Sequence, residues 1–461
     1  MLMIAEILVY ITLASSLIIP LMDALGYGRS RAVVIVSWVG VASFTIASII
    51  LLSTSSVNEF YAGLVVHNSF TSLILLGASI AAILVLIAVN MDAIVWPSNP
   101  AFYSLIPLIL FGLFYLAGAN SIITIIASWL LVSVASYVMV ALPGDRESRL
   151  AAIRYVFIGA TATLIIALWA STTLIGAGIE LITPIKPREF KSEAFLVLSL
   201  ALAAFGFKLG VVPFHWWLPS VYGRADGRPI AIVAGIVKLG FIALIVRIIS
   251  ESFAGSLDAA FIIALIAIAT MTYGNIAALT TLDLQRLLAY SSIAHVGYII
   301  SALTVIIAEP NSPVSKLALA GVAIQSIAYT LAKTPLFTLV AEAGRELEGE
   351  LRGLLARDNT TAISSTILLA SLLGIPPLIG FWGKLFIFLP LASYSIILLI
   401  VALVNSGISS VYYIRALRNV VTPATTQQSR IIRDRYRAVV VISAIATIIL
   451  GLIAPIIIRL I

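Results

Sequence analysis

The sequence predicts an all-α polytopic membrane protein of about 14 transmembrane helices, built as two inverted five-helix repeats with helices 7 and 12 broken. Three observations carry this prediction: an apolar composition, apolar runs of bilayer length, and basic residues confined to alternate connections. Of 461 residues, 61% are hydrophobic and 10% charged, against roughly 45–50% and 25% in ordinary globular proteins. A soluble fold could not cover that much apolar surface with so few charges.

Runs of about 20 apolar residues, the length that crosses a bilayer, begin near residues 3, 31, 70, 101, 121, 151, 192, 229, 257, 286, 315, 360, 394 and 437. The first reads as a retained helix, because Glu6 stands early in it and neither a basic n-region nor a cleavage site marks a signal peptide. Connections are short, so no soluble domain is inserted. The longest polar ones are "EAGRELEGELRGLLARDN" before span 12 and "TPATTQQSRIIRDRYR" before span 14. Four regions follow: 1–100 with helices 1–3, a first repeat over 101–255, a second over 256–418, and a C-terminal loop and helix over 419–461.

Connections after odd-numbered spans carry Arg29, Arg31, Arg146, Arg149, Arg154, Arg224, Arg228, Arg286, Arg345, Arg352, Arg357, Arg415, Arg418, Arg430, Arg433, Arg435 and Arg437. Those after even-numbered spans carry only Lys186, Arg188, Lys191 and Lys316. Such asymmetry marks the cytoplasmic side, so odd connections are expected inside and both termini outside. It also explains the basic net charge of +7 without nucleic acid as a partner.

Two spans contain helix breakers. One breaks at "GVVPFH" after Lys208, the other at "LLGIPPLIGFWGK" before Lys384. Gly and Pro free backbone hydrogen-bonding groups that lipid cannot satisfy, so such breaks survive only inside protein or beside a wet cavity. Their spacing of five spans suits inverted repeats.

Four of the seven lysines, Lys208, Lys238, Lys333 and Lys384, fall within predicted spans, whereas the cytoplasmic connections use arginine throughout. Lysine gives up its proton when desolvated and arginine does not. A charge at the bilayer centre costs about 2.5–3.5 kcal/mol even on the mild insertion scale. Lys238 lies about 14 Å into span 8, near the midplane, where snorkelling is awkward. Lys333, near the cytoplasmic end of span 11, could snorkel, and Arg247 late in span 8 is read as structural or snorkelling. His295, among Ser291, Ser292 and Tyr298, suits a proton link or a hydrogen-bonded structural role. His215 beside Trp216 and Trp217 reads as part of an interfacial aromatic cluster, and His67 in a connection carries no functional reading.

The absence of cysteine excludes disulfides, iron–sulfur clusters and thiolate metal sites. Three scattered histidines make no haem or zinc site, and no phosphate loop, dinucleotide motif or HExxH is present. No cofactor and no metal is expected in this chain.

"FKLGVVPFHWWLPSVY", "LQRLLAYSSIAHVGY" and "GIPPLIGFWGK" resemble the signatures of the antiporter-like membrane subunits of respiratory complex I. Related subunits occur in multisubunit sodium/proton antiporters and membrane-bound hydrogenases. The similarity runs from about span 4 to span 13. Within the family the chain looks most like the N-type subunit: it stops without a trailing lateral helix, and Lys384 stands where the M-type usually has glutamate. "YTLAKTPLF" around Lys333 is closer to the L, M and hydrogenase patterns.

The resemblance implies a proton-relay set of Lys208, Lys238 and Lys384, with His295 adjoining and Lys333 as a weaker candidate. It implies a non-redox subunit of a proton-translocating NADH-quinone-type oxidoreductase in the inner cell membrane. Its partners would be other membrane and peripheral subunits, the lipid bilayer, and protons. A cation/proton antiporter subunit, a hydrogenase subunit or a non-pumping scaffold are the alternatives. One departure stands out. The family's "WELMSLSSY"-like run reads "SWLLVSVASY" here, so Leu130 replaces the glutamate expected to partner the span-7 lysine. Asp92 and Glu6 are the acids that could substitute.

Overall fold

A computed structural model of the chain describes residues 1–54, 57–89, 96–177, 192–343, 352–422 and 432–458. Asp92, Lys186, Arg188, Lys191, Arg345 and Arg430 lie outside the described residues. The chain runs through α1 (Leu2–Ala24), α2 (Arg31–Ser53), a hairpin of β1 (Asn58–Phe60) and β2 (Val65–His67), α3 (Ser69–Ala88), α4 (Asn99–Gly118), α5 (Ile122–Ala141) and α6 (Arg146–Ala177). Next come α7 (Ser192–Leu209), the short α8 (Trp217–Tyr222) and α9 (Gly227–Ile232), the last passing through a π-helical turn (Val233–Val237) into α10 (Lys238–Ser252). The remainder is α11 (Leu257–Thr280), α12 (Leu284–Ala308), α13 (Pro313–Ala343), α14 (Leu354–Arg357), α15 (Asn359–Leu373), α16 (Ile379–Tyr394), α17 (Ile396–Val421) and α18 (Asp434–Ile457).

Polar residues at the ends of apolar runs start these helices for a local reason. Ser30 accepts the Ala32 amide at 3.2 Å, Asp283 accepts that of Arg286 at 2.9 Å, and Asn68 with Thr71 forms a capping box. Each satisfies an amide that the helix itself leaves unpaired. The fold is all-α apart from the hairpin, as the sequence predicts. Among the described residues, 12 helices are long and apolar enough to cross a membrane, the α9–α10 composite Gly227–Ser252 counting as one. Shorter apolar helices at Ala194–Leu209, Asn359–Leu373 and Ile379–Tyr394 fall at the two predicted breaks. α6 begins a turn earlier than the sequence suggests, because Asp145 accepts the Ser148 amide and draws the charged segment into the helix.

At the first break Gly210 adopts φ +78° and at the second Gly374 adopts φ +94°, a left-handed geometry that stops a helix and favours glycine. The freed Val212 amide donates to Thr270 Oγ1 of α11 at 3.2 Å, so the break is satisfied by protein rather than by lipid. The core is asymmetric. All of the most apolar stretch of Gly227–Ser252 is buried, against 33% for α1 and for α17. The outer helices turn their Leu, Ile and Val side chains outward, as lipid-facing helices do.

The hairpin is absent from the sequence prediction, since strands of three residues are too short to announce themselves by alternation. Arg247, at the far end of α10, holds it down: Nη1 donates to Val66 O at 2.7 Å and Gly118 O at 3.1 Å, and Nη2 to Asn120 Oδ1 at 3.0 Å. Its structural reading therefore stands. His67 is fully buried against Phe114, their ring centroids 4.4 Å apart. Burial, and after it the Arg247 guanidinium, push its imidazole down to about 3. The unfolded imidazole titrates near 6.5. A depressed folded value means the stabilisation is complete above 6.5 and is lost as pH falls below it. Between pH 7 and pH 5 the seat of the hairpin should lose about 2 kcal/mol. Amide exchange across Asn58–His67, corrected for its intrinsic pH dependence, should show this loss, and His67→Phe should abolish it.

Candidate proton-relay site

All four lysines predicted within spans are buried, with exposures of 6% for Lys208, 3% for Lys238, 0% for Lys333 and 5% for Lys384. Among the described residues, no ion pair involves any of them. Each is held instead by neutral hydroxyls, carbonyls or ring faces.

Lys208 sits in the last turn of α7, against α5. Its Nζ donates to Ser133 Oγ at 2.6 Å and to Tyr137 OH at 2.8 Å. Ser133 and Tyr137 follow Trp129 at intervals of four, so the three share one helix face. Leu130, one residue on, turns about 100° away and is 42% exposed. The position where the resemblance expects a partnering glutamate therefore looks outward from the chain. Of the suggested substitutes, Glu6 lies beside Tyr61 and Tyr115, at the hairpin.

Lys238 opens α10 directly after the π-helical turn. Within that turn the Gly235 carbonyl accepts from Thr330 Oγ1 of α13 at 3.1 Å. Among the described residues, Lys238 Nζ has no hydrogen-bond partner. It faces the rings of Tyr222 at 5.4 Å and Tyr329 at 5.5 Å.

Lys333 corrects the snorkelling alternative. It is wholly buried on α13 and donates to Leu288 O at 2.6 Å and to Ser291 Oγ, both on α12. Its Nζ lies 5.7 Å from the same Tyr329 ring that Lys238 faces. The two amines are thus at most about 11 Å apart, where like charges repel by about 1.5 kcal/mol at an effective dielectric of 20.

His295, on α12, joins the row one turn beyond Ser291. Gln325 Nε2 lies 3.0 Å from its Nδ1 and Tyr413 OH lies 3.2 Å from its Nε2. With Gln325 donating to Nδ1, the proton sits on Nε2 and points at Tyr413. Its ring also meets Tyr298 and Tyr329, each at 5.9 Å. Lys384, on α16, donates to Leu373 O at 2.7 Å, the last residue before the span-12 break, and to Ser406 Oγ of α17 at 3.2 Å. It faces Tyr298 at 5.4 Å.

Lys238, Lys333, His295 and Lys384 are therefore linked through Tyr329 and Tyr298. Lys208 joins them through Tyr155, which stacks on Trp217 at 5.1 Å, and Trp217 in turn meets Tyr222 at 6.0 Å. A run of protonatable nitrogens with no fixed anion can accept, hold and pass protons, which arginine could not. His215 stands apart with its ring 3.9 Å from Tyr273, as an interfacial aromatic group would.

Sequence reasoning missed Tyr222, Tyr329, Tyr413 and Gln325. A signal for two of them exists: Gln325, Tyr329 and Lys333 recur every four residues, which lines them along one face of α13.

Residues 119–409 match a family model described as NADH:quinone oxidoreductase/Mrp antiporter, TM. NADH-quinone oxidoreductase subunit N 2 from Solidesulfovibrio magneticus is 32% identical over 334 residues, covering 70% of both chains. A chain of respiratory complex I from Thermus thermophilus superposes with a TM-score of 0.84 at 25% identity, covering 98% of each. A chain of the Mrp complex from Dietzia sp. gives a TM-score of 0.87 at 18% identity, covering 99% of this chain and 96% of that one, a likeness of fold. The match across the lysine-bearing helices and the identity to subunit N place this chain in the NADH:quinone oxidoreductase/Mrp antiporter transmembrane family.

Proposed function

We propose that the chain is the proton-translocating, non-redox membrane subunit of a complex I-like oxidoreductase, passing protons through Lys208, Lys238, Lys384 and His295, with Lys333 as a further station. Redox chemistry in partner subunits would drive it by shifting charge beside the first lysine; this chain would carry no cofactor. The observation that carries the reading is the row itself: four buried amines and an imidazole, tied only to neutral groups, crossing the bundle from α7 to α16. Lys333 earns its place because it shares the Tyr329 ring with Lys238.

The orientation we favour follows from the arginines. Counting each broken pair as one span gives about 14 spans, odd connections cytoplasmic and both termini outside. Lys208 then lies nearer the cytoplasm, Lys384 in the outer half, and Lys238 between them. The chain has no native cysteine, so single cysteines at Arg149 and Thr422 can be labelled without background. Both should react only from the cytoplasmic side, and labelling from outside would reverse the depth order.

The function is tested by Lys208→Met and Lys384→Met in the assembled complex. Methionine keeps the length and apolarity and removes the titratable group. Each should leave assembly intact and cut proton translocation at least about tenfold, a barrier change of about 1.4 kcal/mol. Lys208→Arg should fail as well, because a permanent cation releases no proton. Normal pumping by both methionine variants would leave only a scaffold. A second reading, a cation/proton antiporter subunit, draws on the fold shared with the Mrp complex chain; transport that requires sodium and no electron donor would favour it.

A further inference from the structure

We propose that the aromatic rings of Trp129, Tyr137, Tyr155 and Phe241 replace a carboxylate counter-ion around Lys208 and govern how firmly it holds its proton. This deepens the relay reading and rests on it. Lys208 Nζ lies 5.6 Å from the centroid of Trp129, 4.8 Å from Tyr137, 5.9 Å from Tyr155 and 5.1 Å from Phe241. All four fall within the roughly 6 Å over which the negative face of a ring attracts a cation. They come from α5, α6 and α10, while the amine comes from α7, so four helices converge on one nitrogen.

The donor count fits this environment. An ammonium has three N–H groups. Two meet the Ser133 and Tyr137 hydroxyls, and the third is left among ring faces. Among the described residues, Lys238 faces two rings, and Lys333 and Lys384 one each. Lys208 is thus the station built for a cation, in a chain whose Leu130 turns outward where the resemblance expects an acid.

The walls cannot swing away. Trp129 Nε1 donates to Thr163 Oγ1 at 3.1 Å, and its ring sits edge-on to Phe205 at 5.4 Å and to Phe241 at 4.8 Å. Tyr155 stacks on Trp217 at an interplanar angle of 13° and accepts from Ser136 Oγ at 3.2 Å. The titratable groups turned to the amine are Tyr137 from α5 and Tyr155 from α6. On α10 the nearest in sequence is Lys238, one turn before Phe241, and on α7 Glu193 stands at the opposite end of the helix, about 22 Å along it from Lys208. Among the described residues no ion pair engages the Lys208 amine, so the electrostatics of the rings are measurable. All four act through Lys208 and are positioning residues.

The test replaces Phe241 with mono-, di- and trifluorophenylalanine in the full chain, held in lipid nanodiscs and, in parallel, in the assembled complex. Fluorine drains the ring face while leaving its size nearly unchanged. The ¹⁵N signal of the Lys208 amine, assigned by its disappearance in Lys208→Met, is followed against pH. Its midpoint should step towards lower pH with each fluorine, by about half a unit across the series. Adding Ser133→Asp to the trifluoro chain should bring the midpoint back up, because a carboxylate then supplies what the ring has lost. A midpoint that ignores fluorination overturns the proposal, whatever the complex pumps. Separately, pumping that survives Lys208→Met while the midpoint still moves would sink the relay and leave the ring cage standing.

Discussion

Lys238→Met is expected to stop proton translocation by the assembled complex and at the same time to make the chain harder to unfold. The two halves follow from one observation. Lys238 Nζ is buried at the centre of the row, and among the described residues it has no hydrogen-bond acceptor and is faced by the Tyr222 and Tyr329 rings. An unpaired buried polar group costs free energy, and an apolar side chain of similar volume removes that cost. Such exchanges are often neutral or stabilising by about 1–4 kcal/mol. The substitution also removes the repulsion from Lys333 across Tyr329. Translocation should nonetheless fall at least about tenfold, because the amine between Lys208 and Tyr329 is gone. A lysine kept for structure predicts the opposite pair, lost stability with retained pumping. Thermal unfolding of the purified chain and proton uptake by reconstituted complex separate the two cases.

Much of this arrangement was legible in the sequence, and the illegible part has a physical cause. Glycine followed by proline marks both broken spans, and the structure stops α7 at Gly210 and α15 at Gly374, where the breakers stand. Lysines in apolar runs announced themselves because a charge there is expensive. The π-helical turn before Lys238 did not: "VAGIV" differs in nothing from an ordinary apolar helix. Its partner is tertiary: Thr330 on α13 donates to the Gly235 carbonyl within the turn. The partners of the lysines were hidden for the same reason. Tyr222 and Tyr329 stand more than a hundred residues apart in sequence and meet only when α8 and α13 pack around α10. Leu130 shows the limit of motif reading. The motif says which residue is missing, but only the packing of α5 says that the position faces away from Lys208. The hairpin went unseen because its strands are as short as strands come.

Gly383→Val should disable the Lys384 end of the row by pushing two helices apart, and Gly407→Val should do nothing comparable. Both glycines lie inside spans and look equivalent in the sequence. A Cβ on Gly383 would stand 2.5 Å from Gln325 Oε1, 2.7 Å from Gln325 Cα and 2.8 Å from its amide nitrogen. Ordinary contact needs about 3.5 Å. The obstruction is backbone of α13, which cannot rotate out of the way as a side chain could. One turn further on, Gly321 of α13 lies equally close to Phe386 of α16, its Cβ position 2.6 Å from the carbonyl carbon, so the helices are locked from both sides. Valine at 383 must therefore move α16 bodily, at a cost of about 3 kcal/mol for overpacking. The displacement falls where the row is most exposed to it. Lys384 is the next residue and would be drawn off Leu373 O, while Gln325 is the group that holds His295 Nδ1. Translocation should drop as far as in Lys384→Met, with a lower unfolding temperature that Lys384→Met does not share. Gly407 of α17 has no neighbouring atom within 4 Å of its Cβ position, and valine there should leave both measurements near wild type. Equal behaviour of the two variants would mean that α13 and α16 are not seated against each other in the working protein.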